Sequence, residues 1–206
     1  MSKSILSATL FVAAASAATP AFASDACDTA STPVYRVYNP NNGDHFYTTS
    51  DAERDAVVAA GWNDEGVMGY GWATAGGDDS DSDSDGGGLT AVYRLYDGVD
   101  HLYTISSVEV AAATTGAYTL EGTGWYAFGA AGDDLDAVFR VYNPNNGDHL
   151  YTMNGAEADY LISLGWADEG APFYMLADPS VCDDDDSDSD SDDDSDSDDD
   201  SDDDSE

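Results

Sequence analysis

All three histidines of the 206-residue chain, His45, His101 and His149, occur in one string, Asp-His-x-Tyr-Thr. An arginine in a Tyr-Arg-x-Tyr or Phe-Arg-x-Tyr segment precedes each of them: Arg36, Arg94 and Arg140. A chain with only five basic residues against 43 acidic ones has kept most of its cations at these repeated positions. The chemistry they suit is recognition. Aromatic rings stack on a sugar face, while arginine and histidine hydrogen-bond hydroxyls or pair a carboxylate. The expected ligand-binding set is Arg36, Tyr38, His45 and Tyr47 in the first copy, and Arg94, Tyr96, His101 and Tyr103 in the second. Arg140, Tyr142, His149 and Tyr151 complete it in the third.

The same residues suit a structural role equally well. Each arginine could neutralise the glutamate of a Glu-Gly pair (Glu65, Glu121, Glu169) or of a capping box (Glu53, Glu109, Glu157), and each Asp-His pair could pin a hairpin turn that the fold needs three times. Residue type alone leaves both readings open.

Other chemistry finds less support. Three histidines brought to one axis would make a tris-His metal centre, but one histidine per copy is not ligand clustering, and no metal site is expected. Asp81-Ser82-Asp83-Ser84-Asp85-Gly86 matches the first half of a calcium loop, yet its twelfth position is Val92, where a bidentate acid is required. No Gly-x-Ser-x-Gly elbow and no Ser-His-Asp spacing stands out, so the chain is read as non-enzymatic and cofactor-free, with weak calcium association on its acidic C-terminal tail.

The elements that must position these residues are written three times. Val34 to Thr48 reads as a β-hairpin, two runs rich in Val, Tyr and Phe around the turn Asn39-Pro40-Asn41-Asn42-Gly43. The third copy repeats it almost verbatim from Val138 to Thr152, and the second shortens the turn to Asp97-Gly98-Val99. A two-residue deletion preserves strand parity, so every side chain keeps its face. Alternation puts Val37 with Phe46 on one face, and Arg36 and Tyr38 with His45 and Tyr47 on the other.

A short helix follows in each copy. Ser50, Ser106 and Asn154 each precede a glutamate by three residues (Glu53, Glu109, Glu157), the spacing of a capping box, and Gly61, Gly116 and Gly165 mark the ends. Each copy then closes with an aromatic (Trp62, Tyr118, Trp166), a Glu-Gly pair (Glu65-Gly66, Glu121-Gly122, Glu169-Gly170) and an aromatic strand. The expected fold is α+β: three tandem β-β-α-β repeats, about 33–76, 91–132 and 137–179, in a closed pseudo-threefold arrangement. Residues 77–90 form an acidic, glycine-rich linker.

The strings VYRVYNPNNGDHFYTTSDAERDAVVAAGW and FRVYNPNNGDHLYTMNGAEADYLISLGW resemble an uncharacterised repeat module of secreted bacterial and fungal proteins, a domain of unknown function that tends to occur in threes. The resemblance covers Pro33 to about Pro179, and the middle copy departs from it, with Tyr118 where tryptophan is expected. Such modules are appended to lysozyme-like and peptidase enzymes, which implies an accessory, surface- or glycan-directed role.

The two ends of the chain set its location. Residues 1–23 have the layout of a secretory signal, with Lys3, an apolar run and the exit Ala21-Phe22-Ala23. The mature protein is therefore expected to be extracellular or periplasmic, with residues 24–182 as the triple-repeat domain. Cys27 and Cys182, just outside the first and last repeats, then read as a disulfide. Residues 183–206 hold 17 acidic residues among serines and are expected to form a disordered tail.

Away from that tail and the linker, 21 acidic residues face four arginines in the mature chain. So negative a surface argues against nucleic acid and membranes as partners, and for cations. The functional expectation is a secreted, monomeric, non-catalytic module that binds a cell-envelope or other extracellular glycan. The alternative is a structural or matrix protein whose Asp/Ser tail binds calcium or mineral.

Overall fold

The computed structural model describes residues 31–75 and 88–182. The expected signal segment, Cys27, most of the expected linker and the expected tail lie outside the described residues. Three hairpins come first in their copies, and their register is simple. β1 (Ser31–Tyr38) pairs with β2 (His45–Thr48), β4 (Leu89–Tyr96) with β5 (His101–Thr104), and β7 (Asp136–Tyr142) with β8 (His149–Thr152). In the first, Arg36 lies opposite Tyr47, Val37 opposite Phe46 and Tyr38 opposite His45. The alternation in the sequence therefore sets the faces, with Val37 and Phe46 buried on one and Tyr47 on the other.

Three nine-residue helices follow: α1 (Asp51–Ala59), α2 (Ser107–Thr115) and α3 (Gly155–Ser163). Ser50, Ser106 and Asn154 cap them by accepting hydrogen bonds from the Glu53, Glu109 and Glu157 amides. The other half of the capping box is not made. The N-cap amides donate instead to Thr48, Thr104 and Thr152 at 3.0 Å, which leaves the glutamate side chains free to reach outward. Gly61 and Gly165 adopt the left-handed conformation after the helix (φ 103° and 99°), whereas Gly116 does not (φ −97°). Its amide donates to the Ala113 carbonyl, three residues back.

The expected α+β architecture of closed, pseudo-threefold β-β-α-β repeats is corrected by the strand pairing. The strands make one open, ten-stranded antiparallel sheet in which strand rather than helix dominates; its main path runs β2, β1, β3 (Asn63–Trp72), β6 (Thr119–Phe128), β10 (Phe173–Met175), β7 and β8, with β4 pairing β5 and β6 off that path and β9 (Ala167–Asp168) pairing β7. β3 and β6 are long, but the third copy divides this strand into β9 and β10. Between the two pieces stands Pro172, which has no amide to donate to a ladder.

Copies join through single residue pairs at their last strands, Trp72 with Tyr126 and Phe128 with Tyr174, and through an isolated bridge between Tyr70 and Leu176. One partner of each pair is the tyrosine that recurs in every copy, Tyr70, Tyr126 and Tyr174, and the other is a large apolar residue, Trp72, Phe128 or Leu176. Gly71 matters at one such crossing. A Cβ there would stand 2.6 Å from the Trp125 ring and 3.1 Å from the Tyr126 carbonyl oxygen.

The main core is aromatic and aliphatic, with Val34, Val92, Val138, Tyr47, Tyr103, Tyr151, Trp125 and Phe173 in one cluster. Trp72, Phe128, Leu135 and Leu176 form a second cluster. The helices add little to either, since α1 and α2 bury no residue and α3 buries only Ala158. Among the described residues no helix is long and apolar enough to cross a membrane.

Candidate functional site

Short edge strands leave backbone groups that need partners. The three repeated tyrosines supply them. Tyr47 Oη donates to the Tyr151 carbonyl (2.9 Å) and accepts from the Tyr151 amide (2.8 Å). Tyr103 does the same for Tyr47 (2.8 and 2.9 Å), and Tyr151 for Tyr103 (2.7 and 2.8 Å). Each hydroxyl thus satisfies both backbone groups of the equivalent residue in another copy. All three side chains are 0–1% exposed, and burial pushes their phenols above the ordinary tyrosine range.

The Asp-His pairs also run between copies rather than within one turn. Asp148 accepts from both the amide (2.9 Å) and Nδ1 (2.7 Å) of His45. Asp44 holds His101 in the same way (3.1 and 2.9 Å), and Asp100 holds His149 (2.9 and 2.6 Å).

The arginines complete the pattern. Arg36 places Nε 2.8 Å from Glu65 of its own copy and sends both terminal nitrogens to Glu157 of the third copy (2.9 and 3.2 Å). Arg94 lies between Glu121 (2.8 Å) and Glu53 (3.0 Å), and Arg140 between Glu169 (2.7 Å) and Glu109 (2.9 Å). Burial disfavours ionisation of Glu53, Glu109 and Glu157, but hydrogen bonds from arginine and threonine outweigh it and hold all three below the usual glutamate range.

These contacts sort the twelve residues expected to bind ligand. The tyrosines of β2, β5 and β8 are buried, and the arginines and histidines are committed to carboxylates across the seams between copies. The remaining three, Tyr38, Tyr96 and Tyr142, lie half-buried against the histidine rings, at centroid distances of 4.9, 4.4 and 4.9 Å.

At the seam between the third and first copies, Tyr38 borders a cleft of about 280 Å³. His45 and Glu65 line it from the first copy, and Asn143, Asn146, Glu157 and Trp166 from the third. A second cavity of about 460 Å³ lies beside it and shares Arg36's two partners, Glu65 and Glu157. Gly43 is required where the two turns meet, because its φ is 87° and a Cβ would collide with the Asn146 amide. Sequence reasoning missed Trp166, Asn143 and Asn146 as rim residues. Their signal was present in the third copy's Asn-Pro-Asn-Asn turn and its Gly-Trp pair.

The equivalent position between the second and third copies is occupied differently. Tyr118 replaces tryptophan there and donates its hydroxyl to Asp100 Oδ2 at 2.7 Å. The shortened turn Asp97-Gly98-Val99 supplies no asparagine to the rim.

The residues that converge most closely are aspartates rather than histidines. Asp44, Asp100 and Asp148 are 2–3% exposed, and one carboxylate oxygen of each lies within 4.8 Å of the others. Both oxygens of each already accept hydrogen bonds from a neighbouring histidine, so the cluster's acceptor capacity serves the fold.

A β-rich sheet of three repeated units, held together by buried tyrosine, Asp-His and Arg-Glu contacts, defines a tandem-repeat module. The chain belongs to the family described as Domain of unknown function (DUF5648), whose model matches two overlapping regions, residues 16–97 and 71–176. No curated protein and no solved structure matches it.

Proposed function

We propose that the protein is a secreted, non-catalytic module that binds an extracellular or cell-envelope glycan, with the cleft between the third and first copies as its site. The observation that carries this reading is the lining of that cleft, two half-buried aromatic residues beside carboxylate and amide groups. Aromatic faces take the apolar side of a sugar ring, and amides and carboxylates take its hydroxyls. In this reading the module is an accessory of the kind appended to lysozyme-like and peptidase enzymes. It acts outside the cell as a monomer, and a Cys27–Cys182 bridge ties its ends.

The test is retention of the full chain on a glycan array and on insoluble cell-wall polysaccharide, beside the Trp166→Tyr variant. The wild type is expected to be retained and the variant to be lost from the same glycans. Absence of wild-type retention on every polymer overturns the reading. A second reading, calcium or mineral binding, rests on the 17 acidic residues of 183–206 and predicts a calcium response that vanishes when those residues are deleted.

A further inference from the structure

The charges around the cleft indicate what kind of sugar it would take. Arg36 is bracketed by Glu65 on one side and Glu157 on the other, with no separation above 3.2 Å. His45 is similarly committed, with Nδ1 on Asp148 and Nε2 3.8 Å from Glu65. An anionic sugar entering this cleft therefore meets no uncommitted cation.

The acids are in excess. Arg36 is shared between two carboxylates, and Glu65 and Glu157 keep side-chain exposures of 30% and 31%. Glu65 meets both Arg36 and His45 through Oε2, and its Oε1 makes no hydrogen bond among the described residues. Beside these groups stand the half-buried rings of Tyr38 and Trp166, whose π faces attract cations. The wider field agrees, because a chain of formal net charge −38 concentrates cations near its surface.

We propose that the ligand of this cleft is a sugar carrying a free, protonated amino group, as in a de-N-acetylated aminosugar polymer, with the ammonium against Glu65 and Glu157 and the ring on Trp166. The proposal rests on the glycan reading above and narrows it to one charge class. The middle copy contains a natural blocked version of the site, since Tyr118 places its hydroxyl on Asp100. Trp166→Tyr is therefore a variant that this fold already accommodates at the equivalent position, and it brings a hydroxyl toward Asp148.

The experiment is calorimetric titration of the full chain at physiological salt with three tetrasaccharides: glucosamine, its fully N-acetylated form, and galacturonic acid. The glucosamine form is expected to bind about tenfold or more tightly than the acetylated one, the scale of a charge held by carboxylate and aromatic groups. The galacturonic form is expected not to bind, and Trp166→Tyr to abolish the glucosamine signal. Tighter binding of the acetylated sugar overturns the charge inference while leaving the glycan reading in place. No binding of any of the three overturns the charge inference as well, with the glycan reading then resting on the array. An undiminished glucosamine signal in Trp166→Tyr overturns the cleft assignment, because it places a polycation on the acidic tail instead. A Leu161→Ala variant, which widens the same wall without touching the carboxylates, is expected to retain the preference for the amine.

Discussion

The seam between the third and first copies and the seam between the second and third are held by the same contacts. In one, Asp148 holds His45 and Glu157 holds Arg36; in the other, Asp100 holds His149 and Glu109 holds Arg140. They differ at the rim, where the first has Trp166 and two asparagines and the second has Tyr118 bonded to Asp100. What is equal in both seams holds the copies together, and the difference at the rim decides whether a seam can take a ligand. The repeated arginines, histidines and buried tyrosines are therefore cement, and the candidate site adds Trp166 and an asparagine-rich turn, both lacking in the middle copy, to the exposed edges of Glu65 and Glu157.

The comparison is broken most severely by removing cement. Tyr103→Phe deletes one hydroxyl and leaves the Tyr47 amide and carbonyl buried without partners, at an expected cost of about 3 kcal/mol. Tyr47→Phe and Tyr151→Phe are expected to cost about the same, which chemical denaturation of the three variants would measure. A loss confined to one seam would contradict the equivalence.

Acid should loosen all seams together. The folded-state pKa values of Glu53, Glu109 and Glu157 are depressed, so the stability they contribute is present above the ordinary glutamate value of about 4.3 and is lost as pH falls through the folded values. Asp44 acts in the opposite sense. Its carboxyl is raised by burial against the opposing hydrogen bond from His101, so it favours the folded state as it protonates. The expected fall is that of the three glutamates, each of which bonds an arginine of another copy. A melting temperature that declines below about pH 4 in a single cooperative step is the expected record, and separate steps would show that the seams titrate independently.

The smallest effect sharpens the comparison at the rim. Tyr118→Phe removes only the hydrogen bond to Asp100 and is expected to cost about 1 kcal/mol, with no change in glycan binding at the other seam. A loss of binding in this variant would mean that the two rims are coupled.

Much of this fold was legible in the sequence because its strongest rules are local. Alternation gave the hairpin faces, and Ser50, Ser106 and Asn154 gave the helix starts. Pairing between copies was not legible, because residues repeated in every copy find their partners in a different copy, through contacts more than forty residues apart in the chain. The same limit applied to the site. The chain showed an aspartate before every histidine, but not that the aspartate serves the histidine of a different copy. It also left open whether the arginines pair a ligand or a glutamate of the Glu-Gly pair or capping box, and the structure commits each one to both of those glutamates, one of them from another copy.

The central claim is that shared residues hold the copies together while the rim at Trp166 recognises the ligand. Its most direct test is an NMR titration of the full-length chain with glucosamine tetrasaccharide, following the indole and backbone amides. The expected result is a shift at Trp166, Tyr38 and Asn146, with Tyr118, Tyr47, Tyr103 and Tyr151 unmoved. Equal shifts at all three seams, or shifts confined to 183–206, would contradict it.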